Sequence, residues 1–205
     1  LYAGTYFARD PRLPSLQIIL LLFAFSMLGL VVADDAITFF VFWEATTITS
    51  YLLVGFDHES AKSRASALQA LLVTSAGGLT LLIGLLLMGS VADTWRLSGM
   101  NAQGDLLRAS PLYLWIFWLI ALGAFTKSAQ WPFQFWLPGA MAAPTPVSAY
   151  LHSATMVKAG VYMLARFTPA LGGTDVWIWT LTLVGAFTMV QASIWALRQI
   201  DLKMM

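Results

Sequence analysis

The sequence contains no cysteine. That absence excludes disulfides, zinc–thiolate sites and iron–sulfur clusters ligated by this chain, and it leaves the redox compartment unreadable. Charge is scarce as well. Only 10% of the residues are charged, against about a quarter in an ordinary soluble domain. No Gly-rich phosphate loop, nucleophile elbow or metal-ligand cluster occurs, and the two histidines, His58 and His152, fall on different segments. Bond-cleaving chemistry therefore has no visible residues, an enzyme is not expected, and no cofactor or metal is implied. A net charge of +1 offers no basic stripe, so no nucleic-acid partner is expected.

Apolar residues are abundant instead: 59% hydrophobic and 14% aromatic, with a mean hydropathy of +0.76. A soluble domain this apolar could not cover its surface with polar groups. A spanning helix needs about 20 mostly apolar residues. Residues 15–33, 36–56, 66–89, 145–167 and 176–197 meet that requirement. Residues 111–143 are too long for one straight span and too short for two, and Pro132, Pro138 and Pro144 interrupt or follow them. Proline removes a backbone donor and kinks a helix, and in hydrocarbon the freed carbonyls need partners. Two readings stay open here: a broken helix with Lys127 near the break, or a kinked helix with a hairpin at one membrane face. The fold class is all-α, a polytopic transmembrane helical bundle.

If the spans alternate, Arg9, Arg12, Lys62, Arg64, Arg198 and Lys203 share one face, and Arg96, Arg108 and Arg166 the other. The positive-inside rule makes the first face cytoplasmic. Trp95, Trp115, Trp118, Trp177 and Trp179 sit at span ends, where interfacial belts form. The chain starts at Leu1 without a signal-peptide pattern and stops at Met205 before any further apolar run, so it reads as a piece of a longer subunit.

Ionisable groups inside spans are expensive and usually functional. Glu44 lies near the middle of the second span, Lys127 at the deep end of the fourth, and His152 and Lys158 on the fifth. Burial disfavours the charged form of both Glu44 and Lys127, and pairing restores it. A pair that forms and breaks would switch the lysine between holding and releasing a proton; a static buried ion pair is the plainer alternative. His152 can relay protons near neutrality, or simply bond a carbonyl or hydroxyl. Lys158 follows six residues later, about 9 Å along a helix axis. It is placed for a water-bridged step or for snorkelling to a headgroup. Asp34 and Asp35, between the first two spans, read as solvated loop residues, with a cation-access site as the second reading.

The stretches 123–132 (GAFTKSAQWP), 136–138 (WLP) and 143–157 (APTPVSAYLHSATMV) closely resemble the signature of antiporter-like membrane subunits. These include the large antiporter-like subunit of respiratory complex I, related hydrogenase subunits, and the A subunits of Mrp-type multisubunit sodium/proton antiporters. Phe42-Trp43-Glu44 and residues 50–56 (SYLLVGF) resemble the family too. The resemblance implies a larger bundle of about fourteen spans, of which this chain holds six or so. It makes Glu44 the family's glutamate, Lys127 its lysine on the broken helix, His152 its central-axis histidine, and Lys203 the lysine opening the next span. Ser75 and Gly78, where the complex I subunit usually carries Arg and Asp, and Lys158, where it tends to be neutral, resemble the Mrp A subunits. Gln134 stands where some of those carry a histidine.

The resemblance implies a proton-translocating antiporter subunit in a bacterial or archaeal cell membrane. Its partners would be sister membrane subunits, lipid, protons and Na+. A proton-pumping subunit of complex I or a membrane hydrogenase, and a scaffold subunit with a dead path, are the alternatives.

Overall fold

The computed structural model describes residues 2–8 and 10–200. Arg9 and Lys203 lie outside them. Eleven α-helices occur among the described residues: α1 (Tyr2–Tyr6), α2 (Leu13–Val32), α3 (Ala36–Val54), α4 (Ala61–Ala92), α5 (Leu97–Ala102), α6 (Gly104–Ala109), α7 (Tyr113–Lys127), α8 (Trp136–Ala140), α9 (Thr145–Ser148), α10 (Met156–Leu171) and α11 (Asp175–Ala196). A 3-10 turn covers Phe133–Phe135 and a π turn covers Ala149–Thr155. Four helices, α2, α3, α4 and α11, are long and apolar enough to cross a membrane. The short helices α5 and α6 were not legible in the sequence; they fold in the polar loop between α4 and α7.

Local chemistry sets the helix starts. The Asp35 carboxylate accepts from Thr38 N at 2.8 Å, Ser60 Oγ from Ser63 N at 3.3 Å, and Thr174 Oγ1 from Trp177 N at 3.2 Å. Each satisfies an orphan first-turn N–H. Pro14 sits in the first turn of α2, where its missing donor is harmless.

Helix α4 packs between α3 and α7. Small residues allow the approach to α7, as helices in lipid require. A Cβ on Gly77 would overlap Thr126 Oγ1, and one on Gly123 would lie 2.8 Å from Leu81 Cβ. Two apolar clusters result. Phe39, Trp43, Leu85, Phe117, Ile120 and Phe167 belong to the first; Phe23, Leu53, Trp136, Val147 and Leu151 belong to the second. The segment around Lys127 crosses from one to the other: Ala124 and Phe125 sit in the first, Ala129 in the second.

The loops gather at two ends. Arg12 reaches Asp57 at 3.9 Å, joining the α2 start to the α3–α4 loop. At the other end Asp35 pairs with Arg96 in an isolated backbone bridge. Asp34 there is a solvated loop residue, as expected, and it is also tied by hydrogen bonds. Its carboxylate accepts from Ser98 Oγ at 2.7 Å and Ser98 N at 3.0 Å, and lies 3.5 Å from the Arg166 guanidinium. The Ser98 hydroxyl, more than any charge, holds the Asp34 carboxyl below the usual carboxylate range. Trp177 departs from the interfacial role: it is buried, with its ring centroid 5.8 Å from that of Phe117. Trp95, Trp115, Trp118 and Trp179 are exposed.

Candidate functional site: a buried lysine at a helix break

Helix α7 stops at Lys127 because Ser128 leaves the helical path and Ala129 takes a left-handed φ of 50°. Breaking a helix inside an apolar bundle frees carbonyls, and each of three finds a donor. Ala124 O accepts from Ser128 N at 2.8 Å and Phe125 O from Gln130 N at 2.9 Å. Thr126 O accepts from the Trp136 indole N–H at 2.9 Å. Ser128 Oγ donates to Val157 O at 2.7 Å, tying the break to α10. Gly160 makes that contact possible, since a Cβ there would collide with Ser128 Oγ and Ala124 O.

Lys127 itself is 0% exposed. Its ammonium reaches across to α3, donating to Trp43 O at 2.9 Å and Thr47 Oγ1 at 2.7 Å. Nζ also lies 4.9 Å from the centre of the Trp43 ring, in cation–π range. All of these partners are neutral, so the lysine is solvated by dipoles and a ring face rather than neutralised.

Glu44 is not in that seat. Its Oε2 accepts from Ser75 Oγ on α4 at 3.4 Å, and its buried Oε1 has no hydrogen-bond partner. The carboxylate rests against Gly78, where any Cβ would overlap Oε1. Among the described residues no ion pair joins Glu44 to Lys127; the four pairs that form are all at the bundle ends. The ion pair expected between Glu44 and Lys127 is therefore not formed among the described residues. Glu44 and Lys127 hold adjacent but distinct positions along α3, the first toward α4 and the second on the Trp43–Thr47 turn.

His152 is buried in the π turn, its ring centroid 6.0 Å from that of Trp136. Trp136 thus touches both the Thr126 carbonyl beside Lys127 and the His152 ring. π turns recur at functional positions in helices. Thr155 Oγ1 donates to Tyr150 O, five residues back, at 2.7 Å. Lys158 does not join His152: it is exposed on the outer side of α10. Lys203 lies outside the described residues. A cavity of about 320 Å³ opens between the break and α11, lined by Ser128, Gln130, Gln134, Thr188 and Gln191 among others.

The sequence reading missed Trp43 and Thr47 as partners of the lysine. A signal was present: Thr46, Thr47, Thr49 and Ser50 crowd hydroxyls into an otherwise apolar span right after Glu44.

These features define an all-α polytopic membrane subunit with a lysine buried at a helix break. The chain belongs to the NADH:quinone oxidoreductase/Mrp antiporter transmembrane family, which it matches over residues 33–205. It is 48% identical over 203 residues to a probable K(+)/H(+) antiporter subunit of Rhizobium meliloti (strain 1021), covering 99% of this chain and 20% of the relative. It is 48% identical over 203 residues to the putative antiporter subunit mnhA2 of Staphylococcus epidermidis (strain ATCC 12228 / FDA PCI 1200), covering 98% of this chain and 25% of the relative. The fold superposes on a chain of the Mrp complex from Dietzia sp. DQ12-45-1b with a TM-score of 0.86 and 48% identity, covering 91% of this chain and 20% of that one. The chain thus spans a fifth to a quarter of the length of these relatives.

Proposed function

We propose that this chain is the proton-translocating part of an A-type subunit in a multisubunit sodium/proton antiporter of the cell membrane. It works with sister membrane subunits, within a bundle larger than the chain itself. The observation that carries this reading is Lys127, fully buried at a helix break and held by neutral partners, with the Glu44 carboxylate one residue along α3 from the carbonyl it uses. A charge so placed is stable only while its dipoles hold it, so a small change in its surroundings decides whether it keeps its proton.

In this reading the ammonium of Lys127 gives up its proton when the Glu44 carboxylate is remote and regains one when the carboxylate approaches. Trp136 screens the step toward His152, the next titratable group. Lys158 and Lys203 extend the path laterally where further helices of the subunit cover the outer face of α10. Sodium is the exchanged cation; the Rhizobium meliloti relative is named for potassium, and the two differ in a cation-substitution assay. Lys127→Ala should abolish sodium-driven proton movement in the assembled complex while leaving its subunits together.

The family description also names NADH:quinone oxidoreductase, which supports a second reading as a proton-pumping subunit of a redox enzyme. That reading requires an electron donor for proton movement; the antiporter requires only a cation gradient.

A further inference from the structure

Four Ser/Thr hydroxyls follow Glu44 on α3. Three serve their own helix: Thr46 Oγ1 donates to Trp43 O at 2.7 Å, Thr49 Oγ1 to Ala45 O at 2.7 Å, and Ser50 Oγ to Thr47 O at 2.8 Å. Thr47 differs. Its hydroxyl is 3.3 Å from Trp43 O, a long bond, and 2.7 Å from Lys127 Nζ, a short one. It is fully buried.

The two oxygens that hold Nζ have different capacities. A carbonyl only accepts; a hydroxyl both accepts and donates. While Lys127 is an ammonium, Nζ donates to Trp43 O and to Thr47 Oγ1, and the threonine proton points to Trp43 O. Once the proton has left, Nζ carries a lone pair. Trp43 O cannot serve a lone pair, and the indole face attracts only the cation. Rotation about the Thr47 Cβ–Oγ1 bond turns its O–H from Trp43 O to Nζ. We infer that Thr47 is a positioning residue for Lys127, a hydroxyl that reverses its donor role with the lysine's charge and keeps Nζ seated on α3 in both states. This rests on the reading of Lys127 as the proton carrier.

The charged groups around Lys127 leave this role to Thr47. Glu44 on α3 is held toward Ser75 and Gly78. Helix α4 contributes Lys62 and Arg64, in its first turn, and α6 contributes Asp105 and Arg108, paired with each other. The π turn contributes His152 against Trp136. Helix α10 contributes Lys158 on its exposed side and Arg166 beside Asp34. The 3-10 turn and α8 contribute none.

The test compares Thr47→Val with Thr47→Ser in the complete antiporter complex, in inverted vesicles, over a pH series with a sodium gradient. Valine keeps the shape and removes the hydroxyl. It strips a charge-assisted bond from the ammonium, a larger loss than the neutral bond it strips from the amine. The maximal exchange rate should fall about tenfold and the pH profile should move by about one unit toward acid, with the apparent KM for Na+ unchanged. Serine should restore both rate and profile. Thr47→Ala, smaller and equally devoid of a hydroxyl, serves if the valine complex does not assemble. A variant without the hydroxyl that keeps the native profile overturns the inference, even if less complex assembles, because the hydroxyl is then structural only. Lys127→Ala in the same vesicles separates the two claims. If exchange survives it, the carrier reading falls. If exchange is lost there while Thr47→Val behaves as the native complex, only the role of Thr47 falls.

Discussion

Lys127 Nζ lies 2.9 Å from the carbonyl oxygen of Trp43, the residue immediately before Glu44. The lysine is thus bound to the backbone of the helix that carries its acid, not to the acid. Glu44→Gln should leave this seat occupied and the complex assembled, yet reduce exchange about tenfold or more by removing the approaching charge. Proton flux and the yield of purified complex, measured together, check both halves.

Gly78 is the floor beneath the Glu44 carboxylate, and an alanine there would place a methyl on Oε1. Gly78→Ala improves helix propensity in α4 by under about 1 kcal/mol. Overpacking against Glu44 should outweigh that gain by about 1–3 kcal/mol and displace the carboxylate. The expected outcome is a lower melting temperature together with reduced exchange. Unchanged exchange would mean the carboxylate position does not matter.

The break is held by side chains that a substitution can remove singly. Trp136→Phe keeps the ring beside His152 but leaves Thr126 O without its indole donor. Thr126 O keeps weaker backbone donors, Ala129 N at 3.4 Å among them, so the loss is that of one hydrogen bond, about 0.5–1.5 kcal/mol. A thermal-shift measurement on the complex should show the loss, and Ser128→Ala should lose a similar amount through Val157 O.

At the opposite end of α10, Asp34 binds Ser98 and Arg166. Its carboxyl is held below the ordinary range, first by the Ser98 hydroxyl. The sign follows from linkage: the folded state favours the carboxylate, so the contribution is present above the unfolded value of about 3.9 and fades as pH falls through the lower folded value. Asp34→Asn should therefore be slightly less stable than the native complex at neutral pH, with the difference vanishing in strong acid. Melting curves across that range measure it.

Much of this was legible in the sequence, and the limits have physical causes. The interruption at Lys127 announced itself through length and proline, because a span has a fixed reach and proline cannot donate. Glu44, Lys127 and His152 stood out because charge in an apolar run is costly. The Trp43 carbonyl was invisible because backbone oxygens carry no sequence signal. Thr47 was one Ser/Thr hydroxyl among four, and only the reach of Lys127 from α7 to α3 singles it out. The π turn that carries His152 was not legible, because its residues read as part of one straight span that runs on to Lys158. The ties of Asp34 were hidden because its partners, Ser98 and Arg166, are 64 and 132 residues away in sequence.

The central claim is that Lys127 carries the exchanged proton. The direct measurement is sodium-driven proton movement in inverted vesicles holding the complete complex, without any redox substrate, for the native protein and Lys127→Ala. Exchange in the native complex that disappears in the variant, with all subunits still assembled, is the predicted result. Exchange that persists in Lys127→Ala would contradict it, and a native complex that moves protons only when given an electron donor would place the chain in a redox pump instead.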